Sequence, residues 1–600
     1  RRFTLVLRLL RRLRRSLLAF SIRTALETWA LAEVGFWCYF QWKKRSLEER
    51  RAYQPSMWWK APEERLDSLR RVLASVEHIH VGDGFGSRRR HHQSDAHPGG
   101  IQQCESMASK KAAKSFFNMP SLENLFRSEL DSSSRCATAS LHASPSVENL
   151  LRCWSTENPT SMFQLGNGIV NQPSELQCLK HLELCSWFTT VHPQREICRD
   201  INEIQRGNIE DWVLCYWFDG AESFEVRNFN ANEVQELQQL VDEVIRWAGL
   251  SALQLPPEGA PACQGRNPNL VCFRYRSDRL PAVHRPLFVS VATAFFLPVM
   301  GNRVLAWLGF RPYRSGSMEY WFRPCPSLKV PKSGRPRLFS EAFKPLVFIH
   351  GIGIGPSMCL TFLQRLVRNL GQDNPIFICR VGGITMSFED DVASSSEVTA
   401  NIVRMLQVWG FSSAHFIGHS FGTFVLAWMI RYQRDYVERV TFIDPVCFLT
   451  LRMLKEGYEL QQVRNDSSMN TMEMFIKYFV MTELFVCNFV CRCFFWEESQ
   501  LDMHDLQGMP ALVVLESDDM IVQVHSVRRL VLAEQHRRAR KATSVLDASS
   551  LELLWMEGQP HAGFLPDAVA NRELTARIQR FHSFGRVEAC SAEPVATRAA

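Results

Sequence analysis

The sequence predicts an α/β fold, a mostly parallel, doubly wound β-sheet whose two faces are covered by helices. From Met318 onward, short apolar segments such as Leu346 to Ile349 and Ile376 to Cys379 alternate with segments of helical periodicity. Strands that are apolar along their whole length are typical of a parallel sheet buried on both faces. One such segment leads into a serine between two glycines, Gly418 to Gly422, which predicts a sharp turn from strand to helix.

The alternation extends almost to the end of the chain and is interrupted once. Between Pro445 and Leu506, about sixty residues rich in Phe and Met replace it, and we expect a helical cap at residues 446–508. Apolar residues three and four apart identify the helices, and short continuous apolar runs identify the strands. Further strands are predicted at Phe416 to Ile417, Val440 to Ile443, Leu512 to Leu515 and Leu553 to Met556, and helices at Ser394 to Val408, Phe421 to Arg434, Gln523 to Gln535 and Asp567 to Phe581.

The composition excludes several classes of protein. Of the 600 residues, 46% are hydrophobic and 22% are charged, as in a folded globular chain rather than a disordered one. The formal net charge of +7 is too small, for a chain of this length, to indicate a nucleic-acid-binding protein. The 18 cysteines have no repeating spacing, which favours reduced thiols in an intracellular compartment over a disulfide framework.

Changes in composition and periodicity divide the chain into five parts. The first is basic and helical, the second is a tract rich in Gly, Ser, His, Lys and Arg that we expect to be disordered, and the third returns to a helical pattern. The α/β pattern and a short tail that we expect to be disordered follow. The predicted boundaries are 1–80, 81–172, 173–329, 330–585 with its cap at 446–508, and 586–600.

The first 24 residues predict a basic amphipathic helix. Apolar residues from Phe3 to Phe20 recur at three- and four-residue spacing, and eight arginines but no acidic residue precede Glu27. Such a helix can lie on an anionic membrane surface, can act as an organelle transit peptide, or can pack as a solvated helix on its own domain. We expect membrane association or targeting.

A second apolar segment, Leu287 to Asn302, is uncharged, is broken by Pro298 and is closed by Arg303. A helix that crosses a bilayer needs about 20 residues. Because this run is shorter, we expect a buried or membrane-dipping helix rather than a full crossing.

The tract at 81–172 contains a small internal repeat. Pro120 to Arg127, with the sequence PSLENLFR, recurs as PSVENLLR at Pro145 to Arg152. Each copy has a serine suited to cap a short helix, which would not be stable alone. Two interpretations stay open, a peptide that folds on an unknown protein partner and a relic of duplication. Gly82 to Gly86 has no following helix, so it does not predict a phosphate loop.

The residues around Ser420 have the pattern that activates a serine. Gly418 and Gly422 bracket Ser420 as G-x-S-x-G, because a strand that reverses into a helix leaves no room for bulky neighbours. The strained turn would project the serine hydroxyl above the sheet, where a base and a substrate can reach it.

A serine needs a base to take its proton and an acid to orient that base. Asp518 and Asp519 directly follow the strand that ends at Leu515, and we choose Asp519 because it precedes Val522 by three residues. His561 follows the last predicted strand and is the candidate base. Asp444, at the end of the strand after the serine, stays open as an alternative acid.

Two backbone amides are candidates for an oxyanion hole. One is that of Phe421, next to the serine at a helix N-terminus, and the other is that of Ile352 in a glycine-rich turn at residues 350–355. His350 and His419 are expected to form structural hydrogen bonds within their turns. Cys487, Cys491 and Cys493 lack a fourth ligand at suitable spacing, so we expect reduced thiols and neither a metal nor a cofactor.

Residues 330 to 585 resemble the α/β-hydrolase superfamily, whose chain order is serine, acid, histidine. Within it, residues about 20–80 and 175–585 are similar to eukaryotic membrane-associated hydrolases of fungal and algal type, and the tract at about 82–172 is absent from that resemblance. The segments that carry it are FIHGIGIG at 348–355, HSFGT at 419–423, IDPVCF at 443–448, CFFWEE at 493–498, SWF at 186–188 and NIEDW at 208–212.

The resemblance implies a serine hydrolase without implying a substrate. We expect cleavage of a carboxylic ester or related acyl bond through an acyl-enzyme on Ser420, with a small-molecule or lipid acyl substrate favoured by the apolar cap. Two alternatives stay open. One is an acyltransferase that uses the same residues, and the other is a non-catalytic membrane adaptor that keeps the fold.

Overall fold

The computed structural model describes residues 2–49, 62–81, 175–191, 196–218, 229–250, 265–276, 278–325, 344–370, 374–389, 392–462, 474–541 and 551–583. The predicted tract beyond Val81 with its internal repeat, and the predicted tail at 586–600, lie outside these residues.

Ten strands occur in the described residues, and eight of them form one sheet. They are β1 (Phe188–Thr190), β2 (Leu270–Cys272), β3 (Arg311–Ser315), β4 (Met318–Arg323), β5 (Leu346–Ile349), β6 (Ile376–Cys379), β7 (Ala414–His419), β8 (Val437–Ile443), β9 (Ala511–Glu516) and β10 (Leu551–Met556). The large sheet has the order β10-β9-β8-β7-β5-β6-β4-β3, and β1 pairs with β2 alone. Strands β5 to β10 are parallel to one another, whereas β4 and β3 add an antiparallel edge.

Helices precede, connect and cover these strands. Those of the first half are α1 (Arg2–Glu49), α2 (Pro62–Val81), α3 (Glu175–Cys185), α4 (Arg206–Trp217), α5 (Ala231–Ala248) and α6 (Leu287–Trp307). Those of the second half are α7 (Leu360–Leu370), α8 (Ser395–Val408), α9 (Gly422–Tyr432), α10 (Thr450–Gln462), α11 (Leu484–Cys493), α12 (Trp496–Ser499), α13 (Val524–Lys541) and α14 (Ala568–Ser583).

The sheet is buried because its central strands are apolar on both faces. The four side chains of β5 are fully buried, and they divide between two cores, with Val347 and Ile349 in one and Leu346 and Phe348 in the other. This arrangement confirms the predicted α/β class. Strands β5 and β6 have their predicted bounds, while β3 and β4 lie before residue 330, so the sheet starts earlier in the chain than the predicted domain does.

Helix α6 differs from the expectation for Leu287 to Asn302. It continues past Arg303 to Trp307, spans 21 residues and has only 6% of its most apolar window buried. Pro298 does not end it, because Pro298 is the second residue of the α-helical turn that follows a π-helical segment, Ala292–Phe296, and the π-turn rearranges the backbone hydrogen bonds that a proline disturbs. The expected short length and the buried alternative were wrong, while the membrane-dipping alternative stays a prediction.

The region before the sheet packs on the cap. Trp217 of α4 and Trp496 of α12 meet with ring centroids 5.4 Å apart. Arg276 and Glu497 form an ion pair at 2.8 Å in which both side chains are almost completely buried. Two further polar contacts join the same parts, Lys455 Nζ with Ser186 Oγ at 2.9 Å and Arg452 Nη2 with Glu183 Oε2 at 3.1 Å. The cap is therefore fixed from the N-terminal side as well as by its own chain connections.

Candidate active site

Ser420 lies at the turn between β7 and α9 in a strained backbone conformation. Its φ is 51°, a left-handed value that non-glycine residues seldom adopt. The neighbouring glycines are required sterically, because a Cβ on Gly422 would lie 2.3 Å from the carbonyl oxygen of Ile349, and one on Gly418 would lie 2.7 Å from Gly422. The hydroxyl of Ser420 is consequently presented at the carboxyl end of the sheet.

His561 connects Ser420 to Asp519. His561 Nε2 is 2.9 Å from Ser420 Oγ, and His561 Nδ1 is 2.7 Å from Asp519 Oδ2. The other carboxylate oxygen of Asp519 accepts hydrogen bonds from the backbone amides of Ile521 and Val522, at 2.7 and 2.9 Å. The structure thus brings together the three side chains that the sequence singles out, and the turn between Asp519 and Val522 fixes the carboxylate.

The electrostatics of the site act on the protonation of His561. Burial lowers the pKa of His561, but the charge and hydrogen bond of Asp519 and the charge of Asp444 outweigh it, so that the pKa is raised to about 9. An imidazole held between a hydroxyl and a carboxylate can accept the hydroxyl proton once it is neutral. The raised pKa means that this neutral form predominates only in alkaline solution.

The glycine-rich turn after β5 lies against the serine. A Cβ on Gly351 would be 2.9 Å from Ser420 Cβ, so the backbone passes next to Ser420 just before Ile352. His350 is buried in this turn, with Nδ1 2.7 Å from the carbonyl oxygen of Gly351, and burial lowers its pKa to about 4. A neutral His350 holding the turn agrees with its predicted structural role.

The cap contacts the site through Phe421, the residue after the serine. Its ring packs edge-on against that of Phe489 at 5.1 Å, and that of Phe494 is 6.1 Å away. Ser420 itself is only partly buried. The residue whose amide is an oxyanion candidate is therefore held by the cap, while the hydroxyl next to it stays accessible.

Asp444 does not take the position of the acid. Its Oδ2 accepts a hydrogen bond from the backbone amide of Ala562 at 2.9 Å and lies 3.5 Å from His419 Nε2, whereas the carboxylate that accepts the hydrogen bond of His561 Nδ1 is that of Asp519. Burial acts to raise the pKa of Asp444, but His419 and His561 together keep it below its usual value. A charged Asp444 thus holds the loop that carries His561.

Glu516 is a residue of the site that the sequence did not single out. It is fully buried at the end of β9, and its two carboxyl oxygens accept hydrogen bonds from the amides of Gly563 and Phe564, each at 2.8 Å. Burial and the charge of Asp444 raise the pKa of Glu516 to about 10, so Glu516 is neutral at pH 7. The signal available in the sequence was a glutamate that directly follows the apolar run Leu512 to Leu515, just before the turn that carries Asp519.

Within the described part of the chain, one group of side chains has the spacing of metal ligands, namely His419, Asp444 and His561. Both ring nitrogens of His561 already have partners in Asp519 and Ser420, and Asp444 Oδ2 accepts a backbone amide. A metal ion here would have to displace these hydrogen bonds of His561 and Asp444, so the donor set does not fit a metal ion.

Three features together decide the fold: the strand order, the antiparallel edge formed by β3 and β4, and the strained serine that follows β7, the fifth strand counted from that edge. The chain has the α/β-hydrolase fold. In it the serine, the acid and the histidine follow β7, β9 and β10, the order Ser, Asp, His along the sequence.

No family model matches the chain, and no curated protein matches it by sequence. Among solved structures it is similar to naproxen esterase (carboxylesterase NP) from Bacillus subtilis, with 14% identity and a TM-score of 0.31 over 48% of this chain and 97% of that one. A bacterial membrane phospholipase A is 14% identical with a TM-score of 0.33, over 51% of this chain and 94% of that one. A carboxylesterase from Bacillus subtilis is 10% identical with a TM-score of 0.30, over 49% of this chain and 99% of that one.

Proposed function

We propose that this protein is a serine hydrolase that cleaves a carboxylic ester through an acyl-enzyme on Ser420. The observation that carries the proposal is the continuous hydrogen-bonded path from Ser420 Oγ through His561 to Asp519. A serine and a base within hydrogen-bond reach, with the base oriented by a third group, is the arrangement that activates a hydroxyl nucleophile.

In the first half of the reaction, Ser420 Oγ attacks the ester carbonyl carbon while His561 Nε2 takes the hydroxyl proton. Asp519 keeps Nδ1 protonated and stabilises the imidazolium that forms. The negative oxygen of the tetrahedral intermediate accepts hydrogen bonds from the amides of Phe421 and Ile352, each typically worth about a hundred- to a thousandfold in rate. The imidazolium then protonates the departing alcohol, which leaves the acyl group on Ser420.

In the second half, water attacks the acyl-enzyme with His561 again as the base, and the carboxylic acid and the free serine are released. An alcohol or thiol in place of water would give an acyltransferase. We favour a lipid-like or bulky apolar acyl group as the substrate, because the cap side chains that pack on Phe421 are aromatic.

A fluorophosphonate probe tests the proposal, because it modifies only a serine that is activated for attack. We expect labelling of the wild-type chain and its loss in both Ser420→Ala and His561→Ala, with a lowered labelling rate in Asp519→Asn. Free acid produced from an ester in water identifies the hydrolase, and predominant acyl transfer to an added alcohol identifies the acyltransferase. Absence of labelling in correctly folded wild-type protein would exclude catalysis and leave the non-catalytic adaptor.

We also propose an intracellular, membrane-associated location, like that of the eukaryotic hydrolases which the sequence resembles. Support comes from the eight arginines that precede Glu27, from the exposure of α6, and from the free thiols of the described cysteines. Because arginines bind anionic lipid by charge, deletion of residues 1–24 should reduce sedimentation with membranes, and added salt should do the same. Unchanged sedimentation of the deletion variant would contradict this role.

A further inference from the structure

Two neighbouring helices leave a large apolar surface uncovered, which we name the apolar face. It consists of the outward side chains of α1 between Leu26 and Trp42 and those of α6. The exposed fractions include 74% for Leu31, 63% for Phe296 and 73% for Trp307. Monomeric soluble proteins seldom expose contiguous apolar patches of this kind unless the patch binds something.

A hydrogen-bonded carboxylate, that of Glu33, joins the two helices of the apolar face. Both carboxylate oxygens of Glu33 on α1 accept the backbone amide of Leu287, at 3.0 and 2.9 Å, so Glu33 caps the N-terminus of α6. The positive end of a helix stabilises a carboxylate there. On α6 itself, no charged residue occurs from Leu287 to Asn302. The other charged residues of the two segments, Glu27 and Arg303, lie near their ends, so covering the central part of this surface with hydrocarbon costs little desolvation of charge.

A lipid bilayer is the occupant that the composition favours. Trp29, Trp37 and Trp42 on α1 and Trp307 at the end of α6 are exposed, and tryptophan is enriched where protein meets the boundary between lipid and water. The helix that supplies the first three also carries seven of the eight arginines before Glu27, which complement anionic lipid headgroups. A second protein copy would have to accommodate that positive charge.

The apolar face continues into the segments that form the site. Phe388 contacts both helices, with ring centroids 5.9 Å from Phe295 of α6 and 6.2 Å from Phe36 of α1. Phe388 belongs to the loop whose Ile384 carbonyl accepts the amide of Gly353, in the turn that supplies Ile352, at 3.0 Å. The surface and the candidate oxyanion turn are thus neighbours in the structure.

Helix α6 also touches the same turn directly. A Cβ on Gly301 would lie 2.1 Å from Ser357 Oγ, so the helix backbone packs closely on the short helix Gly355–Cys359 that follows the turn. A bilayer in contact with α6 would consequently lie beside the glycine-rich turn and not on the far side of the molecule.

We infer that the apolar face docks on a lipid bilayer and that the substrate is a long-chain acyl ester which reaches Ser420 from that bilayer. The identity of the substrate rests on the proposed ester hydrolysis, whereas the docking does not. Docking depends on the exposed side chains of α1 and α6, whatever the reaction is.

The test compares two substrates and three variants of the full chain. One substrate is soluble p-nitrophenyl butyrate, and the other is a fluorogenic long-chain acyl ester embedded in zwitterionic phosphatidylcholine vesicles, where the arginines contribute little. The variants are Phe296→Asp in α6, Trp307→Asp at the end of α6, and the control Val569→Asp, whose side chain is 69% exposed on α14. Flotation with the vesicles measures binding.

Both α6 variants should lose more than about tenfold in vesicle binding and in turnover of the embedded ester, because aspartate at lipid depth is strongly unfavourable. Their turnover of butyrate and all rates of Val569→Asp should stay within about twofold of the wild type. Binding and embedded-ester turnover at wild-type levels would overturn the inference, as would an equal loss in Val569→Asp. If the wild type hydrolyses neither ester, the proposed function fails, and flotation alone then decides whether the face docks.

Discussion

His561 sets the pH dependence that we expect of the proposed hydrolase. Its pKa is raised to about 9, because Asp519 and Asp444 stabilise the imidazolium more than burial destabilises it. The base must be neutral to accept the proton of Ser420, so kcat/KM for a short ester should rise about tenfold per pH unit up to about pH 9 and level off above it. Measurement of kcat/KM from pH 6 to pH 10 checks this, and a profile that is flat or that falls from pH 7 to pH 9 would contradict it.

Asp519→Asn provides the matched control for that profile. Without the charge of Asp519, the pKa of His561 should return toward the ordinary value of 6.5. The midpoint of the profile should therefore move to lower pH while the maximal rate falls, since the orientation of the imidazole is also lost. A midpoint that does not move would show that Asp519 is not the group that raises the pKa of His561.

Glu516 is expected to position His561 without entering the reaction. Glu516→Leu leaves the buried amide of Phe564 without its acceptor, which costs about 1–3 kcal/mol, whereas the Gly563 amide keeps a second acceptor, the carbonyl oxygen of Pro560. Glu516→Gln should be milder, because it keeps one acceptor and Glu516 is neutral at pH 7. Denaturant unfolding and kcat measure the two effects. Equal losses in both variants would show that the charge of Glu516 is what matters.

At the scale of elements, the turn between β7 and α9 depends on Gly422. A Cβ there would meet the carbonyl oxygen of Ile349 at 2.3 Å, and backbone atoms cannot move aside as a flexible side chain can. We expect Gly422→Ala to lower the free energy of unfolding by about 1–3 kcal/mol or more, and to reduce fluorophosphonate labelling. The control is Gly35→Ala on α1, where a Cβ meets nothing within 4 Å and the change should be neutral or slightly stabilising. Equal stability of the two variants would contradict the steric argument.

The elements that the sequence predicts well are those whose pattern is local. Strands β5 and β6 are continuous apolar runs, and Asp519 and His561 each follow a strand, so the strand ends locate them without knowledge of the packing. Two features depend on contacts far apart in the chain and were missed. Glu516 is defined by amides contributed after β10, and α6 extends through Pro298 because a π-helical turn accommodates the proline.

At the scale of the whole molecule, the ion pair of Arg276 and Glu497 joins the N-terminal region to the cap. Arg276→Met leaves Glu497 charged and buried, which should cost about 3–5 kcal/mol of unfolding free energy. The double variant Arg276→Met/Glu497→Leu should recover most of that loss, because no unpaired charge remains.

The exposed pair of Arg314 and Glu319 is the control for this prediction. Its side chains are 71% and 39% exposed, so Arg314→Met should cost less than about 1 kcal/mol. Chemical denaturation of the four proteins, wild type included, gives the comparison. A loss from Arg276→Met no larger than that from Arg314→Met would mean that the buried pair does not couple the two parts.

The attachment of the cap on two sides has a consequence for how this protein can change over evolution. A substitution at Glu497 that reshapes the cap leaves the buried charge of Arg276 without its ion-pair partner, and one at Arg452 removes one of the two cations that stabilise buried Glu183, the other being Lys455. When changes in the cap alter the substrate preference, a residue of the cap and its partner in the N-terminal region should therefore be replaced together, although the two lie more than 200 residues apart in the chain. Among homologues, positions 276 and 497 should vary together, and so should positions 183 and 452.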